Sequence, residues 1–388
     1  MKLSRKKWID YYLGGFLLAL LRPLVWLLGR CLHRDHTLRV RGTVCIIKLL
    51  GGGSLTIAYP ALLGLRLAHP NVRLRLVTTP AVHPFAEVLG VFDEIDLIDD
   101  ASLLRMVSTT LKALVRSFRA DTVLDFEVYS RLSTVFTALT CARNRLGFYL
   151  EQVFWRRNLH THLVFFNRYA GSYHFYDGIM RSLGVEVATI GQVRSALAAR
   201  LSGRSFNLPA SEKRKIAIGH GCSELGRERM LSANQWAEVL GRSIHPGEEL
   251  DLLFLGGSGD SQLAAAIGSA LQTCFPRVRI QNRCGQCALD ESLATLATCH
   301  EFWGIDSALL HFARLLGLRC HSFWGPTDPQ TRLRPIPGLQ EQVEYVRLPC
   351  SPCVHVSEEP PCRGNNQCIA AAVAPGGQDR HTDGIWVI

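Results

Sequence analysis

Short apolar runs rich in branched residues alternate with longer stretches of helical period over most of the chain. Thr43-Val44-Cys45-Ile46-Ile47-Lys48 is one such run, as a strand buried on both faces requires. It leads into Gly51-Gly52-Gly53-Ser54 and then a helical pattern through Leu55, Ile57, Ala58, Leu62, Leu63 and Leu65. Further strands are predicted at 72–77, 94–98 and 122–126, with helices near 81–89 and 101–118. A polar stretch at about 202–214 interrupts the pattern, which then restarts. Strands follow at 215–219, 251–255, 277–280, 301–303 and 320–324, with helices at 232–244, 261–273, 290–298 and 307–316. This alternation predicts an α/β fold of two Rossmann-like domains facing a cleft, with ligands outside the carboxyl ends of the strands.

The N-terminal segment stands apart. Tyr11 to Leu28 is apolar except for Arg22 and Pro23. A secretory signal has a shorter apolar core and a small-residue cleavage site, and a simple span is expensive with Arg22 near its middle. The segment is expected to lie in a membrane interface or to form a re-entrant hairpin bent at Pro23. Trp8, Tyr11, Tyr12 and Trp26 would then sit at headgroup depth. A helix docked on the protein's own surface is the alternative.

Composition sharpens this picture. The 388 residues are 47% hydrophobic and 20% charged, which excludes a disordered or collagen-like chain. Lys plus Arg exceed Asp plus Glu by 43 to 33, a net charge of +10. Residues 1–41 hold nine of the basic residues and two acidic ones, so the remainder is nearly neutral. A nucleic-acid enzyme carries its charge across a folded face, whereas here it flanks an apolar segment. The expected anionic partner is a membrane surface on the cytoplasmic side, and no nucleic-acid partner is expected. The domain boundaries read as 1–41 for the membrane segment, 42–205 and 206–345 for the two Rossmann-like domains, and 346–388 for a Cys-rich tail.

Loops after strands carry the candidate chemistry. Gly52, Gly53 and Ser54 open a helix, where backbone amides can approach an anion. No G-x-G-x-x-G pattern and no following lysine is present, so a dinucleotide or P-loop site is disfavoured. A tight turn with Ser54 as helix cap is the plainer reading. Gly304-Ile305-Asp306-Ser307-Ala308-Leu309-Leu310-His311 also follows a strand and starts a helix. Asp306 or Ser307 would cap it, and the amides at 307–309, including Ala308, suit a diphosphate. His311 lies one turn along, as a ligand contact or a core histidine. Asp125-Phe126-Glu127 ends a strand with both carboxylates on one face.

Four blocks resemble the glycosyltransferase family that contains the lipopolysaccharide heptosyltransferases, family 9. They are Lys48 to Ser54 with Tyr59-Pro60-Ala61-Leu62; Gly219-His220-Gly221-Cys222-Ser223; Gly304 to His311, similar to the family's G-N-D-S/T-G-x-x-H; and Leu316-Gly317 with Phe323-Trp324-Gly325-Pro326-Thr327-Asp328-Pro329. The resemblance spans about residues 43–335 and implies the GT-B fold. It also implies inverting transfer of a sugar, by resemblance a heptose, from an ADP-linked or other nucleotide diphosphate sugar to a lipopolysaccharide-like or other lipid-linked glycan. The location it implies is the cytoplasmic face of a bacterial inner membrane. Ser223, Asp306, Ser307 and His311 match donor-binding positions of the family, and Arg229 roughly matches its phosphate-binding lysine. The family's usual acidic base position is occupied by Ser54, which is no efficient base near neutral pH. Glu127 is the first substitute and His220 the second; an ion pair with a nearby arginine such as Arg131 is the alternative role for Glu127. A catalytically impaired relative that binds a nucleotide sugar or glycan is the alternative function. No D-x-D-type pair ends a strand in the second half, so no catalytic metal is expected.

Most of the thirteen cysteines sit singly in apolar runs. Cys350, Cys353, Cys362 and Cys368 instead form a C-x₂-C-x₈-C-x₅-C pattern among prolines. The first pair has knuckle spacing, so a structural zinc is expected, with iron as runner-up; disulfides or free thiols remain as alternatives.

Overall fold

The computed structural model describes residues 3–204, 213–223, 226–245, 247–354, 356–357 and 360–374. Much of the expected interdomain polar stretch and residues 375–388 of the expected tail lie outside the described residues. The chain divides into two units, Met1–Val193 and Arg194–Ile388.

The first unit opens with α1 (Leu3–Leu32), followed by β1 (Thr43–Ile47), α2 (Gly52–Ala68), β2 (Arg73–Thr78) and α3 (His83–Leu89). Next come β3 (Glu94–Leu97), α4 (Leu103–Ser117), β4 (Thr122–Asp125) and α5 (Arg131–Leu139). The unit continues through β5 (Asn144–Tyr149), β6 (His162–Phe165) and α6 (Tyr173–Ser182), and α7 (Ile190–Leu201) crosses into the second. All six strands are parallel, in the order β3-β2-β1-β4-β5-β6. Helix α2 is apolar on every side and is buried from Leu55 to Leu65, as a helix enclosed within a fold must be. Gly64 permits its close packing: a Cβ there would stand 2.1 Å from the Glu186 carbonyl oxygen.

The second unit runs β7 (Arg214–Gly219), α8 (Ala233–Ser243), β8 (Leu250–Phe254), α9 (Ser261–Cys274), β9 (Arg279–Asn282) and α10 (Leu289–Ala297). It ends with β10 (Glu301–Ile305), α11 (Ala308–Leu316), β11 (Arg319–Trp324), α12 (Pro329–Arg332), β12 (Glu341–Tyr345) and α13 (Gln367–Val373). Its six parallel strands are ordered β12-β11-β10-β7-β8-β9, the same winding as the first sheet. In each sheet the first and fourth strands are neighbours whose connections leave in opposite directions, which opens a crevice at their carboxyl ends.

Several elements differ from the sequence reading. Strands β5, β6 and β12 were not expected, and β9 is shifted two residues toward the C-terminus relative to the expected 277–280 strand. The re-entrant hairpin does not form, because α1 continues unbroken through Pro23. Its docking on α5 compensates. Asp10, Gly14, Leu18 and Arg22 recur every four residues and so share one face. The Asp10 carboxylate accepts hydrogen bonds from Ser130 Oγ at 2.7 Å and from the Arg131 and Leu132 amides at 2.9 Å, capping the positive end of α5. Gly14 lets the backbones approach: a Cβ there would stand 2.7 Å from that of Arg131. Leu18 packs with Val135, Ala138 and Leu159. Arg22 donates to the Phe154 carbonyl at 3.1 Å, so the charge that makes a span expensive has a protein partner. By length and composition alone α1 is long and apolar enough to cross a membrane.

Candidate active site

In the second unit, the crevice between β7 and β10 is shaped by two paired glycines. Gly304 stands opposite Gly219 in register, and a Cβ on either would lie 2.5 Å from the Phe302 ring. The loop after β10 delivers Asp306 and the first turn of α11. Arg229, from the loop after β7, donates through Nη1 to the Asp306 carbonyl at 2.7 Å and lies 3.1 Å from its Oδ2. His311 Nε2 is 3.7 Å from Oδ1 of the same carboxylate. All of this is buried or nearly so. Burial alone would raise the Asp306 pKa, but contact with His311 and the charges of Arg229 and Arg332 hold it well below the carboxylate range. Burial depresses the His311 pKa despite Asp306, so its ring stays neutral at physiological pH.

Thus Arg229, Asp306 and His311 converge. Ser307 occupies the N-cap position of α11, but its side chain makes no capping bond, and Asp306 is bound to Arg229 instead. Ala308 is the first helical residue, and its neighbouring amides open the helix. Ser223 is exposed on the loop after β7, where its carbonyl accepts the Gly226 N–H at 3.3 Å. Arg332 was missed in the sequence. It follows the Gly325-Pro326-Thr327-Asp328-Pro329 loop by three residues, the only signal that could have drawn attention to it. Ser307 Oγ, Thr327 Oγ1 and Arg332 Nε, all from segments following β10 and β11, are buried without a hydrogen-bond partner among the described residues. Orphaned polar atoms at neighbouring strand ends are what a polar ligand would satisfy.

His220 is enclosed. Its Nε2 is 2.9 Å from the Asp260 carbonyl oxygen, its Nδ1 is buried, and burial depresses its pKa. In this arrangement neither ring nitrogen is open to a substrate hydroxyl. Gly221 and Gly256 make room for the Asp260 side chain beneath it, with Cβ positions 2.2 and 2.6 Å from its atoms.

The corresponding crevice of the first unit lies between β1 and β4 and holds Glu127. Its Oε1 accepts hydrogen bonds from Lys48 Nζ at 3.1 Å and from the Leu49 and Leu50 amides at 2.7 and 3.1 Å. Among the described residues Oε2 takes no hydrogen bond. The expected Arg131 partner is instead turned toward α1, where its Nη1 donates to the Tyr11 carbonyl. Beneath Glu127, Asp125 Oδ1 accepts the Glu127 N–H at 3.1 Å, and Arg156 donates to the Glu127 carbonyl. Arg156 Nη2 and Asp125 Oδ2 are 3.0 Å apart and wholly buried, with His160 Nε2 at 3.5 Å. Burial opposes the Asp125 charge, but Arg156, His160 and Ser133 outweigh it and hold its pKa down. Arg156 and His160 carry no local motif, and Lys48, although it opens the first family-like block, was assigned no role of its own.

Ser54 is not the helix cap. Gly51 is, at a φ of 81° that favours glycine, while Ser54 sits in the first turn and donates through Oγ to the Gly51 carbonyl at 2.7 Å. Gly52 is required by the Phe85 ring, which a Cβ would meet at 2.3 Å; Gly53 lies in the same first turn.

The expected metal centre is also corrected. Cys350, Cys353, Cys362 and Cys368 are free thiols, and among the described residues no group of three or more His, Cys, Asp or Glu is arranged to hold a metal ion. Burial raises the pKa of Cys353 and pushes Cys368 up to about 11, and the neighbouring thiols add to both shifts. The tail gains order from apolar packing. Helix α13 inserts Cys368, Ile369, Ala372 and Val373 into the core with Trp236 and Phe323.

Residues 181–362 match the model of glycosyltransferase family 9 (heptosyltransferase). Over that segment the chain is similar to glycosyltransferase family 9. The match supports glycosyltransferase activity, and Arg229, Asp306, His311 and Arg332 all lie within the matched segment. No curated protein sequence matches it. Solved structures show the fold. A family 9 glycosyl transferase from Veillonella parvula is 17% identical, with 80% of this chain and 87% of that one covered and a TM-score of 0.59. The ADP-heptose lipopolysaccharide heptosyltransferase II of E. coli is 17% identical, covering 85% and 98%, with a TM-score of 0.58. E. coli heptosyltransferase WaaC, solved with ADP-2-deoxy-2-fluoro heptose, is 16% identical, covering 79% and 93%, with a TM-score of 0.59.

Proposed function

We propose that the protein transfers a heptose-like sugar, with inversion, from an ADP-linked donor to a lipid-linked glycan. The observation that carries this reading is the meeting of Arg229, Asp306 and His311 at the start of α11, within the family 9 segment and beside unpartnered Ser307, Thr327 and Arg332 atoms. The donor's nucleotide and sugar are taken from WaaC, whose structures hold ADP and ADP-2-deoxy-2-fluoro heptose.

In this mechanism the acceptor hydroxyl gives its proton to Glu127 Oε2 as its oxygen attacks the anomeric carbon. The bond from that carbon to the diphosphate oxygen breaks. The departing diphosphate takes its charge to the α11 amides, Arg229 and Arg332, where prearranged donors cost no reorganisation. Asp306 holds Arg229 and His311 in place. Lys48 and the Leu49 and Leu50 amides fix Glu127 through Oε1 and leave Oε2 to the substrate. The N-terminal helix α1 holds the enzyme at the cytoplasmic face of the inner membrane, where such an acceptor is presented.

A binding protein without turnover is the second reading, favoured by Ser54, whose hydroxyl is turned back onto the Gly51 carbonyl. One assay separates the two. ADP release from ADP-heptose that depends on a lipopolysaccharide-core acceptor supports transfer. Thermal stabilisation by the nucleotide sugar without acceptor-dependent release supports binding alone.

A further inference from the structure

Helix α4 carries an apolar stripe on the side away from the core. Leu104, Val107, Leu111 and Val115 recur at helical spacing, with Phe118 just beyond the helix, and all are exposed, Leu104 to 84% and Val115 to 75%. The opposite side buries Ala113 and Ser117 toward the first sheet. Met106, Ala113 and Leu114 also pack against the core, so the apolar surface of α4 continues past its buried side, where an amphipathic surface helix ordinarily turns polar. Exposed aliphatic side chains in a row mark an interaction surface.

Charge selects the occupant. Residues 101–120 contain Arg105, Lys112, Arg116 and Arg119 and no acidic residue. Arg116 is bound to Glu94 and Asp96, and Arg105 lies 3.5 Å from Asp99. Lys112 and Arg119 are exposed and, among the described residues, form no ion pair. At helical spacing Lys112 flanks the stripe, and Arg119 follows its end. An exposed apolar row edged by unpaired cations is the pattern of a helix lying in an anionic membrane surface.

The position of α4 agrees. Ala113 of α4 and Phe136 of α5 pack in one cluster against the first sheet, so the two helices cover the same sheet face. Helix α1 docks on α5, and Lys6 of α1 contacts Asp100, just before α4. Trp8, Tyr12, Phe16, Leu20 and Trp26 are exposed on α1, among the basic residues Arg5, Lys7 and Arg30. The apolar side chains of both helices therefore belong to one flank of the first unit.

We infer that the Leu104–Phe118 stripe is a second membrane-docking element. It inserts into an anionic lipid surface while Lys112 and Arg119 meet lipid phosphates. Two contacts on one flank fix the orientation of the unit relative to the bilayer, which a single helix leaves free to rotate. The inference adds to the proposed role of α1 and is tested with α1 intact, so its failure leaves that role and the transferase reading untouched.

The test uses the full chain and two vesicle types, phosphatidylethanolamine with phosphatidylglycerol and phosphatidylcholine alone. Leu104→Glu with Val115→Glu is expected to weaken partitioning to anionic vesicles about tenfold or more, with unchanged melting. Lys112→Gln with Arg119→Asn removes charge without touching the stripe, and Asn tolerates the positive φ of 58° at position 119. It is expected to weaken anionic binding by about fivefold or more and leave neutral binding unchanged. Anionic vesicles are also expected to slow amide hydrogen exchange in α4 as well as in α1. Unchanged partitioning of both variants, or protection of α1 without α4, would overturn the inference. A wild-type dimer that the glutamate pair dissociates, with vesicle binding unaltered, would assign the stripe to a second copy of the chain instead.

Discussion

Arg229 Nη1 lies 3.1 Å from Asp306 Oδ2 and also donates to the Asp306 backbone carbonyl, joining residues 77 positions apart. The loop after β7 and the start of α11 are thereby tied at the crevice where the second sheet reverses its winding. A buried ion pair is weak support for stability because desolvation offsets its attraction, and one that also tethers a backbone carbonyl is better suited to holding a site in shape.

Arg229→Ala should therefore lower kcat/KM for the donor about 10²-fold, the scale for losing one donor to developing charge. Arg229→Lys should recover part of this, since it restores charge but not the second hydrogen bond. Steady-state kinetics with varied nucleotide sugar checks both. Near-wild-type kcat/KM for Arg229→Ala would remove this residue from the donor site.

Glu127→Gln should lower turnover about 10²-fold or more, with melting near that of the wild type. The Gln carbonyl oxygen can still accept from the Leu49 and Leu50 amides, so the loop keeps its anchor while the base is lost. Ser54→Ala should lower turnover by only a few-fold. If Glu127→Gln remains active, another group takes the proton.

Gly221→Ala should destabilise the second unit by about 1–3 kcal/mol. The new Cβ would stand 2.2 Å from Asp260 Cγ, and Asp260 is held by the Gly257 N–H at 2.9 Å. Adding Asp260→Ala should return part of the loss. Chemical denaturation of the single and double variants measures it; equal stability of Gly221→Ala and wild type would contradict the packing argument.

Acidification should destabilise the fold in a defined window. Burial is the largest influence on His160, His220 and His311 and depresses each folded-state pKa. The unfolded chain then takes up protons first, from about pH 6.5 downward, so stability is fully present above that value and falls as pH drops below it. Each histidine contributes at most about 1.4 kcal/mol per pH unit. Tm should fall between about pH 7 and about pH 5, and His220→Asn should flatten the slope. A Tm independent of pH across that window would argue against neutral buried histidines.

The doubly wound architecture and the loops that matter were legible in the chain's local pattern. Runs such as Thr43–Ile47 and Glu301–Ile305 are short, rich in branched or aromatic residues and buried, so local pattern and strand burial agree. The Gly304–His311 block was legible for the same reason: a strand end, a turn and a helix start are contiguous in the chain. Strands β5 and β6 were hidden because Asn144–Tyr149 and His162–Phe165 carry polar residues, whose partners come from distant segments; the Asn144 side chain donates to the Thr37 carbonyl.

Tertiary structure alone decided the roles of individual side chains. No spacing rule connects Lys48 to Glu127, or Arg156 to Asp125, because these contacts depend on which strands become neighbours. The same holds for α1. Its apolar length could be read as a membrane segment, but the fit of Asp10 to the open amides of α5 exists only once both helices are formed and placed. The cysteine tail failed for the converse reason. Knuckle spacing describes two thiols, whereas the burial of Ile369 and Val373 by α13 against Trp236 and Phe323 carries Cys368 into the core. Local pattern specifies elements because backbone conformation and one-sided burial act over a few residues; sites are specified by pairings between elements, whose free energy appears only when the sheets close.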